Sequence, residues 1–480
     1  MGIIDTLFRR KAAAPAQTPR AVSRSAPVRG RYDNANPGPA TAAHFARATN
    51  GSADALASPS ARLALRKHAR YEVANNAYAR GIVDTLANDM IGTGPRLQAR
   101  TDDAEANATI EREFHEWMQA SNLAEKLRIM RRARAESGEV FAVIADNPQI
   151  PHPITVDISL VEADRVTSNT MMPSTDEVDG ITYDTFGNPL AYLVLNQHPG
   201  DGVALTGDES QVIAAEQVIH YFQATRPGQH RGVPDITPAL PLFAQLRRYT
   251  TAVLGAAETC ADFAGILYTD SPATGEADDL EPLDAVDLEP RTLLTMPGGW
   301  KMSQVKAEQP TTTYGEFKRE ILNEIARCLN MPFNVAAGNS SGYNYASGRL
   351  DHQTYHKSVR VERHQFATTV LDRVFSAWMD EAILIPGLLP VSIRSLPRLP
   401  HSWLWDGFEH VDPLKEASAT AVRLSAGLTT LAAEYGKQGK DWEAEVEQRA
   451  AEIETLARFG VDVDTGMMDD DDDDLDGLED

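Results

Sequence analysis

The spacing of apolar residues in the first half of the chain predicts helices followed by short strands. Apolar positions recur every three or four residues in three segments, which predicts helices over 58–90, 104–120 and 123–136. The spacing then changes to two, and glycines and prolines separate the apolar runs. Strands are predicted over 140–145, 155–160, 181–185 and 191–195. We therefore expect residues 58–235 to form one α+β region.

Two long helical segments are predicted on either side of an acidic insert. The helices cover 236–264 and 314–330, and the first would reach about 38 Å over 25 residues at about 1.5 Å per residue. The insert, 265–313, is rich in Asp, Glu, Pro, Gly and Thr and is expected to contain strands. Beyond residue 383 a strand is predicted at 391–394, and helices are predicted at 413–426, 429–435 and 441–458.

The segment 311–350 has the most distinctive pattern in the chain. Phe317, Ile321, Ile325 and Leu329 follow one another in steps of four and give the predicted helix one apolar stripe. Pro332 ends that helix because it lacks an amide hydrogen and disfavours helical geometry in the preceding residue. The polar residues that follow predict a loop over 336–345. Another helix is predicted from 345 to 383, and its drifting apolar phase indicates a bend.

Composition limits the class of protein. The 480 residues carry a formal net charge of −24, which argues against tight nonspecific binding of nucleic acid. Cys260 and Cys328 stand alone, so a disulfide framework or a cysteine-rich metal site is not expected. Glu258 and Asp262 interrupt the most apolar helical segment, and the first residues lack a signal-peptide pattern. We expect a soluble protein, assembled inside the cell, with no membrane partner.

The two ends of the sequence have opposite charge. Residues 1–57 are basic and rich in Ala, Pro and Ser, whereas residues 461–480 include six consecutive aspartates, 469–474. Both compositions predict disorder. Two interpretations stay open, a solubilising tail and a docking arm for a partner.

Several short motifs could carry chemistry, but none has the context it requires. Gly338-Asn339-Ser340-Ser341-Gly342 matches the G-x-S-x-G nucleophile elbow, yet a poor strand precedes it and no acid or histidine partner is evident. His352 and His356 have a zinc-site spacing without the glutamate of a metalloprotease. The aromatic cluster at 403–408 lacks interleaved cations, so packing is favoured over nucleic-acid stacking. The residues predict no catalytic site, no cofactor and no metal.

Taken in order along the chain, several segments resemble the lambda-type family of tailed-bacteriophage portal proteins. The likeness covers roughly residues 60–458, and no single segment is decisive. The segments are Asn75-Asn76-Ala77-Tyr78, Ile91-Gly92-Thr93-Gly94, Arg226-Pro227-Gly228-Gln229, Arg231-Gly232-Val233-Pro234, Tyr314-Gly315-Glu316-Phe317, Ala326-Arg327, Gly342 to Leu350, Trp405-Asp406-Gly407, Asp412-Pro413-Leu414-Lys415-Glu416 and Gly427-Leu428.

The resemblance implies a predominantly helical α+β subunit of a ring, usually of twelve subunits, at one capsid vertex. Double-stranded DNA is packaged and ejected through the ring. The implied partners are the terminase large subunit, a head-tail connector or adaptor, and the major capsid and scaffolding proteins. The implied location is the virion, after assembly in the host cytoplasm. Neither the basic arm nor the aspartate tail contributes to the likeness, so no family role is assigned to them.

The family's regions can be placed on the predicted elements. The order is a basic arm at 1–57, a wing at 58–235, a first stem helix at 236–264, a clip at 265–313, a second stem helix at 314–330, a loop, long bent helix and return to the wing at 331–410, a helical crown at 411–460 and an acidic disordered tail at 461–480.

On this arrangement the loop 336–345 is the segment expected to face the channel. Its candidate contacts with DNA are Asn339, Ser340, Ser341, Tyr343, Asn344, Tyr345 and Arg349. The competing interpretation is that these residues only cap and pack the following helix. Two other classes of protein stay open, a non-portal scaffold or adaptor and a serine hydrolase that uses Ser340.

Overall fold

The computed structural model describes residues 39–168, 176–201, 210–262, 266–269, 300–303, 313–342, 344–393, 399–408 and 413–460. The chain divides into two units, Met1–Ser52 and Ala53–Asp480. The acidic tail, residues 1–38 of the basic arm and most of the predicted clip lie outside the described residues. The described end of the arm contains two short helices, α1 (Pro39–Ala42) and α2 (Ala53–Leu56).

Helices dominate the described chain. They are α1 (Pro39–Ala42), α2 (Ala53–Leu56), α3 (Pro59–Asn75), α4 (Ala77–Ile91), α5 (Ala104–Ala120), α6 (Leu123–Ser137), α7 (Leu240–Asp262), α8 (Thr313–Cys328), α9 (Phe333–Ala337), α10 (Tyr345–Phe366), α11 (Asp372–Ala382), α12 (Pro413–Ser425), α13 (Leu431–Lys437) and α14 (Trp442–Arg458). None of the helices in the described ranges is long and apolar enough to cross a membrane.

The prediction of a single helix over 58–90 was wrong, because the helix is interrupted at Asn76 and divides into α3 and α4. The Asn76 backbone is extended, its amide donates to the Glu72 carbonyl at the end of α3, and its Oδ1 accepts from the amides of Tyr78 and Ala79 at the start of α4. Asparagine is well suited to this position because its short side chain satisfies orphan amides. The apolar pattern continues across the break, so it did not reveal the interruption.

Eleven strands lie within the described ranges. They are β1 (Arg96–Ala99), β2 (Glu139–Asp146), β3 (Val156–Glu162), β4 (Glu177–Val178), β5 (Ile181–Tyr183), β6 (Pro189–Leu195), β7 (Ser210–Ala214), β8 (Val218–Phe222), β9 (Ile266–Thr269), β10 (Trp300–Ser303) and β11 (His401–Leu404). The four predicted strands correspond to β2, β3, β5 and β6. The strand predicted at 391–394 was wrong, since residues 391–393 form turns, and Arg394 lies outside the described residues.

All the strand pairs are antiparallel and build four small sheets. One sheet has the order β3-β2-β8, and a second has the order β4-β5-β6-β7. The other two are the pairs β1-β11 and β9-β10, of which β1-β11 joins segments about 300 residues apart. The fold is therefore α+β and mainly helical, as the pattern predicted.

Three hydrophobic clusters hold these elements together. The largest joins α5, α6, the β3-β2-β8 sheet and α11, and Trp117 and Trp378 are fully buried in it. A second joins α3, α4, α7, α8, α9 and α10, and a third fills the space between β2 and the β4-β7 sheet. The long helix predicted over 345–383 is interrupted by a π-helical turn, Ala367–Leu371, between α10 and α11.

The helices α7 and α8 pack against each other along an aromatic contact. The Tyr249 ring lies 4.6 Å from the Phe317 ring and 5.7 Å from the Tyr314 ring, measured between centroids. A 3-10 turn, Thr237–Ala239, precedes α7, because prolines at 238 and 241 are tolerated only near a helix start. The paired strands β9 and β10 are the described part of the insert between these two helices.

Candidate functional site

The chain leaves α8 through a tight turn that leads into the candidate loop. The Met331 amide donates to the Ala326 carbonyl at 3.0 Å, and Asn330 adopts a left-handed conformation with φ +54°. Pro332 then precedes α9, a helix of five residues. The predicted proline stop is confirmed. The segment 333–337, described from sequence as a poor strand and part of the loop, is helical instead.

The loop proper begins at Gly338 and is shaped by local hydrogen bonds. Gly338 has φ +60°, a conformation that glycine adopts without strain, and it ends α9. The Asn339 amide donates to the Asn334 carbonyl at 3.0 Å, and Asn339 Oδ1 accepts from the Ser341 amide at 2.9 Å. This Asx turn orders the loop at its beginning. Part of the hydrogen-bonding capacity of Asn339 is therefore already used.

Most of the candidate residues lie at the surface. Ser340 and Ser341 are exposed in the loop, and Asn344 is exposed at the point where its carbonyl accepts from the Gly348 amide and starts α10. Tyr345 is the first residue of α10, and Arg349 is exposed one turn later. Tyr343 lies outside the described residues.

A cleft of about 600 Å³ lies beside the loop, between α8 and α10. Ser341 and Gly342 contribute to its wall, and Arg319 and Arg327 of α8 and Asp351 of α10 contribute charges of both signs. The structure thus brings part of the loop next to two arginines that were not among the candidates. Their signal in the sequence was the charged face of the helix ending at Pro332.

The base of the loop is anchored to the helical core. Ala336 is buried, and Asn334 Nδ2 lies 3.1 Å from His352 Nε2 of α10. His356, one turn further along α10, stacks on Phe408 with ring centroids 3.7 Å apart. The exposed polar loop is therefore carried on a fixed base, which is the arrangement expected of a contact loop on a rigid scaffold.

Neither sequence motif for catalysis or metal binding acquires the geometry it needs. The G-x-S-x-G elbow requires a strand before the serine, but α9 occupies that position, and no hydrogen bond joins Ser340 to a histidine within the described residues. The His352 and His356 rings meet edge to face, 5.7 Å apart, and each has a packing or hydrogen-bond partner. They form a pair at the edge of the core.

Two further groups of acidic residues and a histidine could, by proximity, hold a metal ion. One contains Glu113, Glu116 and His152, and the other contains Glu162, Asp164 and His198. In each group the histidine Nδ1 accepts a backbone N–H, from Ile154 at 3.1 Å and from Gly200 at 2.9 Å. A neutral imidazole that accepts at Nδ1 carries its proton on Nε2, the atom that faces the carboxylates. His152 Nε2 lies 4.0 Å from Glu113 and His198 Nε2 lies 3.1 Å from Glu162, and neither Nε2 makes a hydrogen bond within the described residues. We therefore interpret both groups as clusters of polar side chains and not as metal sites.

A buried network of charges, which sequence patterns did not predict, surrounds Arg231. This side chain is 1% exposed, and its Nε and Nη2 donate to both oxygens of Glu139 at 2.8–3.0 Å. Nη1 donates to Asp179, which also pairs with Arg62 of α3. Although burial opposes its ionisation, the Arg231 guanidinium and His220 hold the pKa of Glu139 well below its usual value. This network fixes the Arg231-Gly232-Val233-Pro234 segment to β2 and α3.

A second network connects α6 to the long helix α10. Glu362 of α10 accepts from Arg134 at 2.9 Å and forms an ion pair with Arg131 at 2.6 Å, both on α6. Arg131 also donates to Asp235 at 2.9 Å, just before α7. Tyr221 donates to Glu362 at 3.1 Å, and burial raises the pKa of the tyrosine hydroxyl far above its usual value. Four segments are joined at this point: α6, β8, α10 and the chain just before α7.

Two motifs that are far apart in sequence meet in the structure. Asp406 accepts from the Thr93 amide at 2.6 Å and from the Thr93 hydroxyl at 3.0 Å. A side chain at Gly92 would collide with the Asp406 carboxylate, and one at Gly407 would collide with the Lys437 carbonyl. Glycine is therefore required at both positions, because neighbouring atoms lie too close to leave room for a side chain. The sequence signal was the pair of motifs Gly92-Thr93-Gly94 and Trp405-Asp406-Gly407, although their contact was not deducible from it.

The chain was compared with known proteins, and its relatives belong to one family. Residues 40–363 match the family described as phage portal protein, lambda family. A probable portal protein of Halomonas phage phiHAP-1 is 25% identical over 427 residues, which cover 83% of this chain and 81% of that protein. Portal protein B of Escherichia phage lambda is 24% identical over 164 residues, 33% of this chain and 31% of that protein. A chain in the solved neck of an empty gene transfer agent particle is 15% identical, covers 79% of this chain and 93% of its own length, and has a TM-score of 0.45.

Proposed function

The chain belongs to the lambda family of phage portal proteins, and from this premise we propose how its described residues serve a portal. A portal is the conduit at one capsid vertex through which double-stranded DNA is packaged and ejected, and it is a component of the virion. The observation that carries this function is the match of residues 40–363 to the family, which covers more than half of the chain.

We propose that the protein acts as a ring, with twelve subunits as the resemblance implies, around a central channel. Within each subunit, residues 58–235 form the wing, α7 and α8 form the stem, and the insert containing β9 and β10 forms the clip. The aromatic contacts between α7 and α8 support their assignment as one paired unit. The helices α12, α13 and α14 form the crown.

We propose further that the loop after α9 faces the channel and touches the passing duplex weakly. Its described side chains are polar and mostly uncharged, and the chain as a whole is strongly acidic. Strong phosphate binding would hold the polyanion in place, because each cation that contacts a phosphate releases counterions and adds to the affinity. Hydroxyl and amide groups can contact phosphates without that effect. Arg349 supplies the nearest candidate cation on α10.

The partners follow from the same family membership. We propose that the ring receives the terminase large subunit during packaging and a head-tail connector or adaptor afterwards, and that it assembles in the host cytoplasm with the major capsid and scaffolding proteins. The portal itself is proposed to have no enzymatic activity. The absence of a strand before Ser340 supports this point, because the serine then lacks the strained turn of a hydrolase.

Replacement of the loop tests its role separately from ring formation. In one variant residues 339–344 are exchanged for an inert Gly/Ser linker of equal length. We expect rings with an open axial channel in negative-stain images, together with a clear loss of packaged or retained DNA. The reason is that the loop is exposed, whereas its base is fixed by buried contacts such as that of Ala336.

A matched control uses another exposed turn. The β5-β6 hairpin tip, residues 184–188, receives the same type of linker, and packaging should stay close to wild type. Wild-type packaging and retention by the loop variant would disprove the loop assignment while leaving the portal function intact. Assemblies without a continuous channel would instead favour the alternative of a non-portal scaffold or adaptor.

A further inference from the structure

A basic cleft lies between the second half of α10, the segment 399–408 and α13. Its volume is about 1330 Å³. The wall formed by α10 includes Lys357, Arg360 and His364, and α13 contributes Lys437 from the opposite side. Trp405 and Phe408 are among the aromatic side chains that complete the lining.

Three basic side chains on α10 are arranged for a shared ligand. Lys357, Arg360 and His364 are separated by three and four residues, so they lie on one face of the helix. All three side chains are exposed, and none pairs with a carboxylate within the part of the chain that the structure describes. Lys437 is 59% exposed and pairs with Glu434 at 2.6 Å. The cleft wall therefore carries positive charge that its own neighbours leave largely unneutralised.

The floor of the cleft adds another positive charge. Arg363 is 7% exposed, and its three donor groups bind the backbone carbonyls of Met90, Asp89 and Asp406, each at 2.9 Å. Its guanidinium also lies over the rings of Trp405 and Phe408. These hydrogen bonds all go to uncharged backbone carbonyls, while the carboxylates of Asp406 and Asp89 act on the guanidinium only through their charge. Burial lowers the pKa of Arg363 to about 10, so the side chain remains protonated at neutral pH.

The nearby carboxylates are engaged elsewhere. Asp406 uses both oxygens to bind Thr93, and Asp89 accepts from the Tyr355 hydroxyl at 2.7 Å. Asp372, at the far end of the cleft, accepts from Trp403 Nε1 at 2.9 Å. These hydrogen bonds come from uncharged donors, so Asp372 and Asp406 keep their negative charges in the lining. The four cations of the lining, Lys357, Arg360, Arg363 and Lys437, outnumber these two carboxylates, and the excess favours an anionic occupant.

We infer that the acidic segment 469–474 of this chain docks in the cleft of its own subunit. The segment supplies six consecutive aspartates, and the cleft offers cations on two walls and on the floor. An extended peptide can enter a cleft between helices, whereas the phosphates of a duplex lie on a convex surface and would reach only the outermost cations. This favours a peptide over DNA as the occupant. The inference does not depend on the proposed ring or channel loop.

The length of the chain allows this contact. The helix α14 begins five residues after Lys437 and has 17 residues, so it is about 25 Å long at 1.5 Å per residue. Residues 461–468 span at most about 26–29 Å when extended. The aspartates can therefore return along α14 as far as the Lys437 edge of the cleft.

Zero-length carbodiimide cross-linking of the full-length protein tests the inference. The reagent joins a lysine amine to a carboxylate that it already contacts, and the linked peptides are identified by mass spectrometry. We expect links from Lys357 and Lys437 to residues 469–474 to exceed links from Lys67, an exposed lysine of α3, by about tenfold, because a docked segment has a high local concentration. Equal linking of Lys67 would overturn the inference.

A charge-reversal variant adds a second readout. Arg360→Glu keeps both reactive lysines and should reduce their links to the tail several-fold, whereas Arg112→Glu, on exposed α5 surface, should not. Circular dichroism confirms that both variants fold. A mixture of ¹⁴N- and ¹⁵N-labelled protein that gives links only between copies would exclude docking within one subunit. If Arg360→Glu weakens binding of a short DNA duplex and leaves the cross-links unchanged, the cleft is a nucleic-acid site and the inference fails.

Discussion

At Asn76 one side chain ends a helix and begins the next. Its Oδ1 accepts from two amides of α4, and its Nδ2 donates to Glu72 of α3 at 3.2 Å. We expect Asn76→Ala to lower the free energy of unfolding by about 1–2 kcal/mol, the usual effect of losing an N-cap. Urea unfolding followed by circular dichroism measures this. The matched control is Asn75→Ala, since Asn75 is exposed and its side chain donates only to the nearby Tyr71 carbonyl within the described residues. Equal losses in the two variants would contradict the capping role.

Arg231 carries a buried charge that holds the segment 231–234 against β2. Arg231→Met would leave Glu139 buried without its bidentate partner, and we expect a loss of about 3–5 kcal/mol in the free energy of unfolding. The folded-state pKa of Glu139 is lowered, so its stabilisation is present above the usual carboxyl pKa and is lost as pH falls through the lowered value. The loss should therefore be largest above about pH 5 and shrink in acid.

The control for this substitution is an exposed arginine. Arg112 is 59% exposed and pairs with its neighbour Glu113, so Arg112→Met should change the unfolding free energy by less than about 0.5 kcal/mol. Chemical denaturation at several pH values between 4 and 8 provides the comparison. A loss for Arg231→Met that does not depend on pH would indicate a packing effect and not an ionic one.

At the scale of elements, the sequence pattern predicted long helices better than strands. The bounds of α5 were predicted correctly because Asp103 caps its first turn and Ile110, Phe114 and Trp117 repeat along one buried face. Strands β8 and β11 were missed, since each is short and its pairing partner, β2 or β1, lies far away in sequence. The π-helical turn after α10 was foreseen only as a bend. The spacing of apolar residues shows local periodicity, but it does not show which distant segments pair or in which register.

Stability around the start of α14, beside β1 and α5, is expected to depend on pH. Gln98 donates to Asp441 at 3.3 Å, and Glu111 accepts from the Ala99 amide at 2.7 Å beside a cavity of about 190 Å³. Burial raises the pKa of Glu111 to about 7, and Asp441 and Glu443 add to the increase. His115 and Glu445 also line the cavity. The folded state therefore binds this proton more tightly than the unfolded state, and stability falls as pH rises from about 4.5 to 7.

Glu111→Gln removes this titration and keeps an acceptor for the Ala99 amide. We expect the variant to gain about 1–2 kcal/mol relative to the wild type between pH 5 and 8, a range reduced to allow for the partial exposure of Glu111. Thermal unfolding across that pH range measures the difference. Glu116→Gln, an exposed change on the same helix, should leave the pH profile unaltered. Parallel profiles for the wild type and Glu111→Gln would refute the assignment.

At the scale of the whole molecule, family and fold class could be reached from the sequence, whereas the site could be reached only in part. The loop after α9 was located because glycine and short polar residues follow a proline stop. The contact between Thr93 and Asp406 was not deducible, because nothing local links residues 313 positions apart. The same holds for Arg231 and Glu139, whose charges look like surface residues until the strands pair. Long-range polar contacts are set by tertiary packing, which a single sequence does not encode in its periodicity.

The proposed channel loop and the net negative charge of the chain together predict how added cations change DNA packaging. If an acidic subunit with a neutral loop lets DNA pass freely, then Ser340→Lys with Ser341→Lys should slow packaging, because each added cation strengthens phosphate binding. The slowing should be greatest at low salt and should be relieved as salt rises, since counterion release and screening both weaken the contact. Packaging rates measured over a series of salt concentrations test this.

The control places the same two charges at a site far from the loop in sequence. Thr185→Lys with Phe186→Lys modifies the exposed β5-β6 hairpin tip and gives the same change in net charge. If net charge alone governed passage, both double variants would slow packaging equally. If the loop lines the channel, only the first should do so, and its rate should approach that of the control as salt increases. Packaging at the wild-type rate by the loop variant at low salt would show that the passing duplex does not meet Ser340 and Ser341.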